Sequence, residues 1–270
     1  MDDIKLDANN LVAHRGLQAS FPENTLLSLS KAIEAGARYI ELDVQFSADH
    51  LPIIYHDADL QRVSNRRDAV KNIERQTLLT YPAYEPLRFG DLYIAEKIAP
   101  LEALVTLLQA NPGVTAFVEL KEDSIPHCGR DRMIQSVQSI LNPVSNRAVI
   151  ISEDYKLIYG ARRVGWPYVG VVLKQWQDMQ DSLVIESCAD YLFIEHPLIP
   201  EISGKISSAQ SAKLVAHEVG DVKLGKQLLN CGVDMLETFY IDDLILGKQP
   251  LSKQIVSDNI PTLLRESSVS

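Results

Sequence analysis

The sequence is poor in cysteine and has no long apolar run. Its 270 residues include three cysteines, Cys128, Cys188 and Cys231, and no C-x-x-C pair. An odd count without that spacing argues against a disulfide scaffold or a zinc knuckle and fits a reducing compartment. No apolar run approaches the roughly 20 residues that span a bilayer, and the polar, acidic start MDDIKLDANN is unlike a secretory signal. We therefore expect a cytoplasmic protein with no stable membrane insertion.

Positive charge is also scarce. The chain has 26 Lys and Arg residues against 36 Asp and Glu, a formal net charge of −10. Such a chain has no general attraction to nucleic acid or to an anionic membrane. We expect no nucleic-acid partner and a small-molecule substrate. If the substrate is anionic, local positive groups must bind it. The sequence leaves the oligomeric state open.

No glycine-rich phosphate loop of either nucleotide-binding type follows the first strand-like run. After residue 100, strand patterns and helix patterns alternate regularly up to residue 238. Alternating β and α units favour a parallel sheet with helices outside, and the strand count reaches the number in a closed barrel. The sequence therefore predicts an α/β fold, a (β/α)8 TIM barrel, as a single domain over residues 1–270.

Two early strand patterns lie too close together for a parallel crossover. Residues 38–44 and 52–55 are separated by about eight residues, whereas a crossover needs a dozen or more. We predict a β-hairpin after strand 2 that turns near residues 47–50 and places residue 43 opposite roughly residue 55. Residues 58–98 break the pattern and are predicted to be a small insertion over the barrel mouth. A short helix is predicted near residues 207–213, and a short packing element after residue 241.

Two of the predicted strands carry acidic residues. Glu41 and Asp43 share one face of strand 2, about 7 Å apart along it. Two like charges inside a barrel mouth need a positive partner, unless the pair instead faces solvent at a sheet edge. Glu119 at another strand end adds a third carboxylate. We predict that Glu41, Asp43 and Glu119 bind one divalent cation, Mg²⁺ or Ca²⁺.

Two histidines also lie at predicted strand ends. His14 and His56 facing one mouth suit phosphoryl transfer, in which one ring removes a proton from the attacking oxygen and the other protonates the leaving oxygen. Arg15 and Lys121 are predicted to bind the non-bridging phosphate oxygens. His217, near a late strand end, is a candidate for the substrate pocket.

Together these residues resemble the glycerophosphodiester phosphodiesterase family. The matching motifs, in the family's order, are His14-Arg15-Gly16, Pro22-Glu23-Asn24-Thr25, Glu41-Leu42-Asp43, His56-Asp57 and Glu119-Leu120-Lys121. The resemblance implies a metal-dependent hydrolase on a barrel that converts glycerophosphodiesters to glycerol 3-phosphate and an alcohol. It implies the same roles for the three carboxylates, the two histidines and the two cationic side chains.

The second half departs from the family pattern. Ser152-Glu153 stands where Ser-Phe is usual, Ala216-His217-Glu218-Val219 where Trp-Thr-x-Asn is usual, and Glu237-Thr238 where the last strand usually closes in Thr-Asp. Polar groups in place of an aromatic wall change what packs on the substrate, and Trp166 and Trp176 are predicted to pack in the core instead. The leaving alcohol stays open, as does the choice between direct water attack and a cyclic phosphate. A lysophospholipid or sphingolipid-like substrate and a ligand-binding barrel without turnover remain alternatives.

Overall fold

The computed structural model describes residues 5–200 and 211–250. Within them lie ten strands: β1 (Leu11–Ala13), β2 (Tyr39–Phe46), β3 (Pro52–Ile54), β4 (Ala99–Pro100), β5 (Thr115–Leu120), β6 (Ala148–Ser152), β7 (Val169–Val172), β8 (Tyr191–Glu195), β9 (Lys213–His217) and β10 (Met235–Thr238). All except β3 and β4 form one parallel ring, which closes because β1 pairs with β10 on one side and with β2 on the other. The predicted (β/α)8 barrel is confirmed.

The described residues form eleven helices between and after these strands. They are α1 (Leu26–Glu34), α2 (Gln61–Ser64), α3 (Arg75–Leu78), α4 (Pro86–Phe89), α5 (Glu102–Ala110), α6 (Ile125–Cys128), α7 (Arg130–Leu141), α8 (Tyr155–Arg163), α9 (Ser182–Glu186), α10 (Val222–Cys231) and α11 (Ile241–Ile245). Short 3₁₀ turns lie at Val70–Asn72, Glu122–Ser124, Asn142–Arg147, Trp176–Gln180 and His196–Leu198. In the described residues, every helix is too short or too polar to cross a membrane.

Side-chain alternation places the polar groups at one end of the ring. The barrel interior is filled by buried side chains that include Val12, Phe117, Phe193, Val215 and Met235. Because alternate residues of a strand face the same side, the positions two residues further along also face inward. Those positions are His14, Glu119, Glu195, His217 and Glu237. The carboxyl ends of the strands, where barrel enzymes carry their sites, are thus charged.

The hairpin prediction is confirmed. Strand β3 pairs antiparallel with β2, with Val44 opposite Ile54. The Tyr55 amide donates a 2.9 Å hydrogen bond to the Asp43 carbonyl. Residues 43 and 55 therefore lie side by side, and His56 follows immediately at the level of Asp43.

The insertion has a small core of its own. Leu60, Val63, Val70 and Leu78 pack with Tyr55 of the hairpin segment. Helices α2, α3 and α4 have only four residues each, too few to show a helical period in the sequence. In the described part of the chain no residue of 58–98 lines the main cavity of the mouth. The insertion instead contacts the site through Arg62, which donates hydrogen bonds to Asp57 and Glu23. Its status as a unit within a single domain stays a prediction.

Two predictions concern the later part of the chain. The predicted helix near residues 207–213 is wrong at Lys213, which begins β9 because the apolar run after it pairs with β8. Residues 207–210 lie outside the described residues. The predicted packing element after residue 241 corresponds to α11, which buries Ile241 and Leu244.

Candidate active site

The eight predicted site residues come together at the mouth of the barrel. One cavity is lined by six of them, His14, Arg15, His56, Glu119, Lys121 and His217. The other two, Glu41 and Asp43, are each 1% exposed and contact Arg15 directly. Residues from five different strands and their following loops are therefore brought together, as the sequence predicts.

A tight turn after β1 connects the first motif to the carboxylates. Arg15 and Gly16 have positive φ angles of 53° and 84°, and a Cβ at Gly16 would collide with Ser28. The Ser28 hydroxyl donates a 2.8 Å hydrogen bond to the Arg15 carbonyl. This conformation directs the Arg15 amide to Glu41 Oε2 at 3.0 Å, so glycine at position 16 is required by close packing.

Three carboxylates converge beside one ammonium group. Oxygen atoms of Glu41, Asp43 and Glu119 all lie within 4.8 Å of one another. The Lys121 Nζ lies 2.9 Å from Glu119 and 3.5 Å from Asp43. Asn24 fixes Asp43 twice: its side-chain amide donates to Asp43 Oδ2 at 2.8 Å, and its oxygen accepts from the Asp43 backbone amide at 3.0 Å.

Burial and neighbouring charges shift the pKa values of two carboxylates of this cluster in opposite directions. Burial and repulsion from Asp43 and Glu237 raise the pKa of Glu41 well above its ordinary value. Burial also opposes ionisation of Asp43, but His56, Arg15 and Lys121 outweigh it and hold the pKa of Asp43 well below its ordinary value. Glu41 Oε1 is buried without a hydrogen bond from the described residues. An all-oxygen donor set with an unsatisfied buried oxygen fits a hard divalent cation.

The two histidines have different surroundings. The His14 ring packs on Phe239, with ring centroids 4.8 Å apart, and its Nε2 lies 3.8 Å from Glu41 Oε2. Burial and the charge of Arg15 lower the pKa of His14 well below its ordinary value. His56 Nδ1 lies 2.7 Å from Asp57 Oδ1, and since a carboxylate only accepts, the proton on Nδ1 faces Asp57. Asp57 thus orients the His56 ring through Nδ1.

A chain of ion pairs ties the insertion to this cluster. Arg62 donates to Asp57 Oδ2 at 2.9 Å and to Glu23 Oε2 at 2.6 Å. Glu23 also accepts from Arg15 at 3.1 Å, and Arg15 Nε lies 3.1 Å from Asp43. No sequence pattern predicts a role for Arg62, because it lies in the insertion outside every motif. Arg15 thus holds two carboxylates, and its contact with phosphate stays a prediction.

The cavity also has acidic lining residues outside the predicted set. They are Glu153, Glu195, Glu218 and Glu237. Burial and the nearby His196 lower the pKa of His217, which lines the same cavity, to about 3. Trp166 is buried with its indole N–H donating to Ala148, and Trp176 packs on the main core, as predicted. Glu237 was not predicted as a site residue, although its spacing of two from the inward-facing Met235 indicates its direction.

The chain is similar in sequence to known proteins. Residues 14–163 match the sequence profile of the glycerophosphoryl diester phosphodiesterase family. A glycerophosphodiester phosphodiesterase of Caldanaerobacter subterraneus is 28% identical over 129 residues, which are 47% of this chain and about half (52%) of that protein. The Bacillus subtilis protein YhdW, provisionally named a glycerophosphodiester phosphodiesterase, is 25% identical over 87% of this chain and 96% of its own length.

Solved structures share the fold. A phosphodiesterase of Oleispira antarctica in complex with sn-glycerol-3-phosphate superposes with a TM-score of 0.72 at 22% identity, covering 88% of this chain and 95% of that one. A glycerophosphodiester phosphodiesterase of Agrobacterium tumefaciens gives a TM-score of 0.70 at 21% identity, covering 88% and 99%. At these identities the likeness concerns the barrel alone.

Proposed function

Because this chain belongs to the glycerophosphoryl diester phosphodiesterase family, we propose that it is a divalent-metal-dependent hydrolase of glycerophosphodiesters. The products are glycerol 3-phosphate and an alcohol. The observation that supports this most strongly is the mouth of the barrel, where three carboxylate oxygens within 4.8 Å of one another lie beside one ammonium group and two imidazoles. A binding protein without turnover needs no such pair of imidazoles.

Glu41, Asp43 and Glu119 hold the cation in this proposal. When bound, the cation supplies positive charge that polarises a phosphate oxygen. Lys121 is 14% exposed in its side chain and lines the same cavity, so its ammonium group can bind a second, non-bridging oxygen. Arg15 contributes its positive charge to the same region while it orients Asp43 and Glu23.

His14 and His56 transfer the protons. Asp57 faces His56 Nδ1, and hydrogen bonds with His56 and Arg62 outweigh burial and hold the pKa of Asp57 below its ordinary value. An ionised Asp57 fixes the orientation of the His56 ring through Nδ1, and in this proposal His56 Nε2 protonates the leaving oxygen. His14, packed on Phe239, is left to accept the proton of the attacking oxygen.

A substrate screen tests this proposal. The chain is incubated with glycerophosphodiesters of different head groups, with Mg²⁺, with Ca²⁺ or with EDTA, and glycerol 3-phosphate is measured. We expect release with at least one head group that depends on a divalent cation. Absence of release from every glycerophosphodiester, with the fold intact by circular dichroism, would refute the substrate class.

One observation favours a second candidate, a lysophospholipid phosphodiesterase. Leu87, Leu92 and Ile94 are 77%, 73% and 51% exposed. The segment that carries them contacts the loop after β1, where the Tyr93 hydroxyl donates to the Ser20 carbonyl. Exposed aliphatic side chains near a phosphodiester site could hold an acyl chain. Adding lysophosphatidylcholine and measuring the choline released from it and from glycerophosphocholine separates the candidates, since faster cleavage of the acylated substrate would favour the second one.

A further inference from the structure

Glu237 is a buried carboxylate that the proposed mechanism does not use. It lies on β10, next to β1, and is 4% exposed. Its Oε1 is buried and has no hydrogen-bond partner in residues 5–200 and 211–250, and no Lys or Arg in that part of the chain forms an ion pair with it. A buried carboxylate without such a partner is costly and calls for an explanation.

Glu41 and His14 lie next to Glu237. Atoms of Glu237, Glu41 and His14 lie within 4.8 Å of one another. Glu41 also has a buried oxygen, Oε1, that accepts no hydrogen bond from the described residues. Glu41 thus belongs both to this group and to the group of Glu41, Asp43 and Glu119. Two buried carboxylates this close repel each other when both are ionised, and a cation between them removes the repulsion. The side chain that faces them, His14, is an imidazole packed on Phe239.

We propose that Glu237 is a fourth carboxylate ligand of the divalent cation and binds it together with Glu41. This inference rests on the proposed cation site and extends it. Hard divalent cations take six or more oxygen ligands, and Glu41, Asp43 and Glu119 supply only part of that number. Since these cations prefer oxygen to nitrogen, His14 is not a ligand and remains available for proton transfer.

The experiment is a calorimetric titration of the full, chelator-stripped chain with Mg²⁺ and with Ca²⁺. The unaltered chain is expected to bind one ion of at least one of them, and the tighter ion is used for the variants. Glu237→Gln is expected to lower the affinity at least about tenfold, a loss of ~1.4 kcal/mol. The matched control, Glu195→Gln, removes a carboxylate from the exposed rim of the same cavity and is expected to change the affinity less than about threefold.

A second measurement, of melting temperature, tests the same proposal if a variant folds too poorly for calorimetric titration. The rise in melting temperature on adding the cation is expected to shrink in Glu237→Gln and to persist in Glu195→Gln. Glu237→Asp keeps the charge but shortens the side chain, so its affinity should fall between those of the unaltered chain and the Gln variant. If Glu237→Gln does not fold, an unchanged affinity in Glu237→Asp refutes the proposal.

The outcomes separate this inference from the proposed function. An unchanged affinity in Glu237→Gln, with loss in Glu119→Gln, would overturn the fourth ligand and keep the three-carboxylate site. A loss in His14→Ala equal to that in Glu237→Gln, or two ions per chain, would instead assign a separate His–Glu–Glu site and also overturn it. An unaltered chain that binds neither ion would remove both the inference and the metal dependence.

Discussion

Arg62 connects the insertion to the site through ion pairs with Glu23 and Asp57. Replacing Arg62 tests how much these ion pairs stabilise the folded chain. The variant Arg62→Met keeps most of the aliphatic stem but removes every donor. In the native chain the guanidinium bridges Glu23, whose side chain is 1% exposed, and Asp57, whose side chain is 21% exposed. The variant leaves both carboxylates with fewer partners.

The expected loss follows from this burial. Breaking a buried ion pair costs ~3–5 kcal/mol, and the lower end applies because Glu23 keeps Arg15 and Asp57 is partly solvated. The entropy of unfolding is about 2.1 cal/mol/K per residue, or roughly 0.57 kcal/mol/K for 270 residues. A loss of about 3 kcal/mol therefore lowers the melting temperature by about 5 °C. Turnover should fall as well, because Asp57 no longer holds His56 in one orientation.

Calorimetry measures the melting temperature, and Arg66→Met is the control in the same insertion. Arg66 pairs with Asp68 at 3.4 Å, but both side chains are about half exposed (42% and 50%). The exposed ion pair and the stacking of the Arg66 guanidinium on Tyr81, 3.9 Å from the ring centroid, each contribute up to about 1 kcal/mol. The control should therefore shift the melting temperature by less than about 4 °C. Equal shifts for Arg62→Met and Arg66→Met would show that the buried bridge contributes no more than a surface pair.

Three further predictions concern catalysis, the cation and pH. His14→Ala and His56→Ala should each lower turnover by about 10²–10⁴-fold with the fold retained, and full activity in both variants would exclude them as acid and base. Excess EDTA should abolish turnover and added Mg²⁺ or Ca²⁺ should restore it, whereas activity that survives the chelator would remove the cation from the reaction. The pKa of His217 is lowered to about 3 in the folded chain, so only the unfolded chain takes up this proton as the pH falls below about 6.5. Going from pH 7 to pH 5 should therefore destabilise the native chain by about 2 kcal/mol more than it destabilises the His217→Phe variant. Denaturant titrations at the two pH values would measure this, and equal losses would contradict it.

Much of the site could be predicted because its residues follow local rules. Alternation along a strand puts Glu41 and Asp43 on one face, and a short gap between strand patterns requires the hairpin that brings His56 beside Asp43. These inferences need only the period of a strand and the length of a connection. The helical spacing of apolar residues is a local rule as well. It is visible in α7 (Arg130–Leu141), which buries Met133, Ile134, Val137 and Leu141.

The remaining features depend on contacts between distant segments. The bridge from Arg62 to Glu23 spans 39 residues, and nothing in either local pattern indicates the other partner. Asn24 and Thr25 are equally plausible helix caps by residue type. In the structure Thr25 caps α1, whereas Asn24 adopts a left-handed conformation, φ 55°, and binds Asp43. Only the packed barrel distinguishes such neighbours.

The closure of the ring has a consequence for biosynthesis. Residues 1–121 carry both proposed proton-transfer histidines and three of the four proposed cation ligands, yet β1 gains its pairing partner on one side only when β10 is present. The His14 amide donates to the Thr238 carbonyl at 3.0 Å, and the His14 ring rests on Phe239. A ribosome-bound chain that stops short of β10 has all five motifs but an open edge at β1 and an uncovered His14. The catalytic arrangement is thus assembled only when translation has passed residue 239, and truncation before that point should yield an inactive chain.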